Sequence, residues 1–200
     1  MKEISFDKQY MEIIQELPNS IEEYQNWLGL KERKIYLNSE VDLSIINKAV
    51  YWILRWNDED KGKSPDEKQE ITIYISSNGG CVVSGLALID AIKSSETKVV
   101  TVGIGVCASM GALLLIGGHE RKCYENTTIL LHDGSLQLSS SSKKAKQTMA
   151  YYDGLDERLN KFILDNTKIS AELYKEKEDE EWYLFGDQAL ELGIVDSLIE

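Results

Sequence analysis

A chain of 200 residues with 42% hydrophobic and 28% charged residues has the length and balance of one globular domain with a real core. Its net charge of −12 argues against a nucleic-acid partner, since phosphate binding needs clustered Lys and Arg, and no run reaches the roughly 18 apolar residues of a membrane helix. Cys81, Cys107 and Cys123 lack C-x-x-C spacing and only two histidines are present, which predicts reduced thiols, a cytoplasmic setting, and neither metal nor cofactor.

Ile4, Tyr10, Ile13, Ile14 and Leu17 recur at near-helical spacing before Pro18. Asn19-Ser20, with Glu23 at the third position, then caps the start of a second helix. Residues 1–29 are read as a helical extension and residues 30–200 as the main domain. Lys34 to Asn38 is a short strand. Asp42 opens a helix with Ile45, Ile46, Ala49, Val50, Ile53 and Leu54 as its apolar stripe. The charged stretch from Asn57 to Glu70 reads as a solvated loop that buries nothing.

Ile71 to Ile75 is an apolar strand ending in Ser76-Ser-Asn-Gly-Gly80. A helix over Val82 to Ile92 should turn Val83, Leu86, Ala87 and Ile89 inward. The strand from Val99 to Ile104 ends in Gly105-Val-Cys-Ala-Ser-Met-Gly111, and a helix runs from about Ser109 to Leu115. Gly117 to Lys122 reads as a turn, Thr128 to Leu131 as a strand ending in His132. The longest helix covers about Lys144 to Asn166. Glu172 to Glu181 is acidic and locally helical, and a short helix capped by Gly193 precedes a last strand. Strand–helix alternation predicts an α/β fold with a parallel sheet and right-handed crossovers.

Reactive groups in such sheets gather where strands give way to loops at their carboxyl ends. Three strand ends here deliver a glycine pair, a serine at a helix start and a histidine, the parts of a serine hydrolase. Ser109 stands where backbone N–H groups and the helix dipole favour a developing oxyanion. The plain alternative is a helix N-cap. Gly79-Gly80 can aim an N–H at an oxyanion or merely make a tight turn. His132 suits a general base, while His119 sits in a hydrophilic turn. The carboxylate that would hold the imidazole cannot be chosen by composition among 34 acids. Asp133, adjacent in sequence, is discounted because it points to the other face of the strand end.

At these residues the chain resembles the Clp protease proteolytic subunit (ClpP) family, serine peptidases of the ClpP/crotonase fold. The likeness runs from about Leu30 to Ile199. It rests on Ile75-Ser-Ser-Asn-Gly-Gly80, Gly105-Val-Cys-Ala-Ser-Met-Gly-Ala112, Asn126 to His132, and Glu191-Leu-Gly-Ile-Val-Asp196. It implies a stacked βαβ spiral core with a protruding handle helix, here about Lys144 to Asn166. Ser109 becomes the nucleophile, His132 the base, and the N–H groups of Gly80 and Met110 the oxyanion hole. Gly79, Gly134 and Ser135 would meet substrate, within a strand from Gly134 to Ser140. Counting back from Gly193 places Glu181 where the family has its catalytic Asp, with Asp179 as runner-up. Asn78 replaces the family's Pro, Asp133-Gly134 its Gln-Pro, and residues 1–29 do not resemble its axial loops.

The resemblance implies a cytoplasmic serine endopeptidase cutting peptides or unfolded proteins inside stacked rings, a homo-oligomeric tetradecamer, with an AAA+ unfoldase as partner and no metal or cofactor. A divergent, phage-encoded member would fit the departures. The alternative is a catalytically impaired ring subunit. A crotonase-type acyl-CoA enzyme is disfavoured because Ser and His both stand at the peptidase positions.

Overall fold

Ser20 caps the first described helix by accepting a hydrogen bond from the Glu23 N–H at 3.1 Å, as its spacing predicts. A computed structural model describes residues 20–134 and 141–200; the helix expected before Pro18 lies outside them. Helix α1 (Ile21–Lys31) runs past residue 29, and its buried Gly29 fits closely against Tyr36 and the Lys34 carbonyl of strand β1 (Lys34–Leu37).

The apolar segments assemble one seven-stranded sheet. Strands β1, β2 (Ile71–Ser77) and β3 (Val99–Ala108) are parallel neighbours, and β2 alternates buried and half-buried residues along its length. Strand β3 then forks. Its first half, Val100 to Gly103, pairs with β4 (Glu120–Tyr124), which pairs with β7 (Ser197–Ile199). Its second half, Val106 to Ala108, pairs with β5 (Thr128–Leu131), and β5 carries the antiparallel β6 (Trp182–Leu184). The fork coincides with a bulge, where Ile75 faces Gly103 but Ser77 faces Cys107. Gly105, at φ +67°, takes up the bend. This is the α/β, parallel-dominated architecture expected of the ClpP-like fold.

Helices pack on the sheet: α2 (Tyr51–Glu59), α3 (Val82–Lys93), the wholly buried α4 (Met110–Ile116), the 25-residue α5 (Ser142–Asn166), α6 (Ala171–Lys177) and α7 (Gly186–Glu191). Leu155 and Ile163 anchor α5, while Met149 and Tyr151 face outward. No helix among the described residues is long and apolar enough to cross a membrane.

Four local expectations need correction. The apolar stripe after Asp42 is interrupted by a π-turn over Ile46–Val50, closed by the Tyr51 N–H on the Ile46 carbonyl. The extra residue rotates the face, so Ile45, Ala49, Ile53 and Trp56 are buried while Ile46 and Leu54 are exposed. On α3, Val83 faces out and Ser84 and Gly85 face in, because a side chain at Gly85 would occupy the space of Met110. The segment Glu120 to Lys122 is strand rather than turn. Its charges are satisfied along the sheet edge, Glu120 by Lys98 and Lys122, Arg121 by Asp196. Finally, the charged stretch after Asn57 does bury one group: Asp60 is 1% exposed and receives Arg33 Nη2 at 2.9 Å and Thr97 Oγ1 at 2.8 Å.

Candidate active site

Strand β3 ends at Ala108, opposite Leu130 of β5, and the chain must turn at once into α4. Ser109 makes that turn at φ +54°, ψ −125°, a conformation costly for a residue with a Cβ. Its N–H donates to the Leu130 carbonyl at 2.8 Å, and its carbonyl accepts from Ala112 at 3.0 Å. Its hydroxyl makes no capping bond and has no partner among the described residues, so the N-cap alternative does not apply.

The glycine turn lies against this serine. Gly79 has φ +97°, and a Cβ there would stand 2.7 Å from Ser109 Cβ and 2.8 Å from the Ala108 carbonyl. Gly80, at φ +140°, is held by Val41, which donates to the Gly79 carbonyl at 2.8 Å and accepts from Cys81 at 2.7 Å. That pairing leaves the Gly80 N–H without a partner among the described residues, as is the Met110 N–H at the start of α4. Both donors are therefore available to an anion.

His132 follows β5 and lines, with Ser109, Met110 and Gly134, one cleft of about 140 Å³. His119 stands apart. It borders a more open groove of about 540 Å³ that contains no serine or cysteine, and its Nδ1 accepts the Val99 N–H at 3.1 Å. Partial burial lowers its pKa. The larger groove thus offers His119 neither serine nor cysteine, and the smaller cleft offers His132 a serine.

The acids distribute less simply. Glu181 precedes β6, and the register pairing Leu131 with Trp182 leaves His132 and Glu181 one step beyond it, on opposing chains. The Glu181 carboxylate accepts from Tyr183 Oη at 2.7 Å. Neither Glu181 nor Asp179 lines the cleft, whereas Asp133, Asp156 and Glu178 do. Burial pushes the Asp133 carboxyl up, and Glu178, Asp179 and Asp156 add to the shift. Asp156, Glu178 and Tyr174 carried no motif, because only the packing of α5 against α6 brings them to this wall. Ser135 lies outside the described residues.

The thiols differ by burial. Cys107 donates to the Ile75 carbonyl at 3.3 Å and is pushed up to about 12, and Cys123 to about 11, both by desolvation. Cys81 is exposed before α3, and the polar groups at the start of that helix, those of Ser84 first, hold its thiol below the ordinary value. Among the described residues no three His, Cys, Asp or Glu side chains are grouped to hold a metal ion.

Fold and cleft define a class: an α/β domain whose forked central strand carries a strained serine to a glycine turn and a histidine. The family model for Clp protease matches residues 19–200. The ATP-dependent Clp protease proteolytic subunit 2 of Corynebacterium efficiens is 32% identical over 172 residues, covering 85% of this chain and 83% of that protein. The chain belongs to the Clp protease family.

Proposed function

We propose that this protein is a serine endopeptidase working through an acyl-enzyme. The observation that carries this is the unbonded Ser109 hydroxyl, held in a strained turn in the same cleft as His132 and beside two unpartnered N–H groups. Ser109 Oγ attacks a peptide carbonyl as His132 takes its proton. The N–H groups of Gly80 and Met110 receive the developing oxyanion; each such donor contributes roughly 10²–10³ in rate. His132 then protonates the leaving amine, and water hydrolyses the ester by the same route.

Glu181 is the proposed carboxylate that orients His132, supported by its register across β5 and β6, with Asp179 the alternative. Gly79, Gly134 and Ser135 are the proposed substrate contacts. Family membership supports self-association into stacked rings through α5, peptides or unfolded proteins as substrates, an AAA+ unfoldase as partner and a cytoplasmic setting. The division at residue 29 into extension and peptidase domain remains part of this proposal.

The bond from Tyr183 to Glu181 favours a second reading, a catalytically impaired ring subunit, because it engages the carboxylate away from the cleft. Fluorophosphonate labelling read by intact mass separates the two. One adduct on the parent and none on Ser109→Ala is expected. No adduct on a folded, assembled parent overturns the peptidase reading.

A further inference from the structure

Three carboxylates line the wall that faces Ser109 and His132, and they come from separate segments: Asp133 after β5, Asp156 from the middle of α5 and Glu178 at the end of α6. The single lysine in that wall, Lys177, is already held by Glu180 at 2.9 Å and Glu176 at 4.0 Å. Among the described residues, no Lys or Arg forms an ion pair with any of the three acids.

Glu178 accepts from Asn160 Nδ2 at 3.2 Å, and Asn160 Oδ1 accepts from Tyr174 Oη at 2.8 Å. These neutral bonds orient the carboxylate without cancelling its charge. Tyr174 registers the excess: burial, then Asp133, Glu178 and Asp156, push its phenol up to about 12. Glu178 is half-buried while Asp133 and Asp156 are exposed, and like charges that share one cleft repel one another, a repulsion that a bound cation relieves.

The rest of the wall is aliphatic, with Leu113, Leu159 and Ile163. The cleft encloses about 140 Å³, room for a long, narrow side chain. Lysine and arginine have this character, an apolar stem with a charged head. The acids are not close enough together to form a metal site.

We propose that the cleft selects a lysine or arginine side chain on the residue whose carbonyl Ser109 attacks, with Asp133, Asp156 and Glu178 as the specificity-determining residues. This rests on the peptidase reading above. The side chain of the carbonyl-bearing residue leaves the acyl-enzyme only after Ser109 is released, so it is the one that the cleft shared by Ser109 and these acids can hold throughout the reaction.

The test compares the rates at which two peptidyl diphenyl phosphonates modify Ser109 in the full chain, one with a lysine-like aminobutyl group and one with a leucine-like isobutyl group. The lysine-like probe should react faster by about tenfold, and the ratio should shrink as added salt screens the charges. In an Asp133→Asn, Glu178→Gln variant with an intact cooperative unfolding transition, the ratio should fall to about one. If that variant does not fold, the salt dependence in the parent decides. Equal or faster reaction of the leucine-like probe in a parent that fluorophosphonate labels overturns this inference alone, as does a preference that survives the substitutions. Failure of fluorophosphonate itself to label the folded parent overturns the peptidase reading and this inference with it.

Discussion

The Ser109 N–H donates to the Leu130 carbonyl at 2.8 Å, so the serine turn hangs from the strand that ends at Leu131 and hands the chain on to His132. This bond lies at the fork of the sheet, where the end of β3 leaves β4 and takes β5 as its neighbour. Nucleophile and base are thus positioned by one ladder, and the strain at Ser109 is offset by the buried helix that follows it.

That strain is measurable. A non-glycine residue in such a conformation costs about 1–3 kcal/mol, and glycine loses about 0.5–1 kcal/mol of chain entropy in exchange. Ser109→Gly should therefore raise stability by about 1 kcal/mol in urea unfolding while abolishing fluorophosphonate labelling. A destabilised Ser109→Gly would show that the turn is not strained.

Gly79 is the position least able to carry a side chain, since a Cβ would meet Ser109 and the Ala108 carbonyl at under 3 Å, at φ +97°. Gly79→Ala should lose labelling by roughly 10²-fold or more through displacement of the serine turn, and about 2 kcal/mol or more of stability. Retention of parental labelling kinetics would contradict the close approach.

Asp60 is buried against Arg33, Lys63 and Thr97, and the Arg33 guanidinium, with these neighbours, holds its carboxyl well below the usual carboxylate range. Its folded pKa lies below its unfolded one, so its stabilisation is present above about pH 4 and is lost as the pH falls toward the folded value. Urea midpoints should decline on acidification below pH 4 more steeply in the parent than in Asp60→Asn. Breaking this buried pair should cost about 3 kcal/mol at pH 7.

The three thiols should separate cleanly in reaction with an aromatic disulfide reagent. Cys81 should react in the native protein, with a midpoint below the ordinary thiol value of about 8.5, because its pKa is lowered by Ser84. Cys107 and Cys123, buried in the core, should react only after denaturation. Rapid native titration of all three would mean that β3 and β4 open locally.

The sequence by itself determined β1, β2, β3, β5 and β7, the order of the motifs and the residues that end β2, β3 and β5, because apolar runs and glycine punctuation are local signals. Ser109, Gly79, Gly80 and His132 were legible this way. Three misreadings had one cause. Glu120 to Lys122 resembled a turn because the pairing of Glu120 and Arg121 with distant Lys98 and Asp196 has no local sign. Asp60 looked solvated because its partners lie in β3's approach and before β1. The inward face of α3 depends on Met110 occupying the space beside Gly85. The acidic wall had no local sign at all, since Asp133, Asp156 and Glu178 meet only when α5 and α6 close over the end of β5. Tertiary structure decided which charges are shared, which are buried and which face the serine. Burial and pairing are properties of neighbours in space, and neighbours in space are what a one-dimensional pattern leaves open.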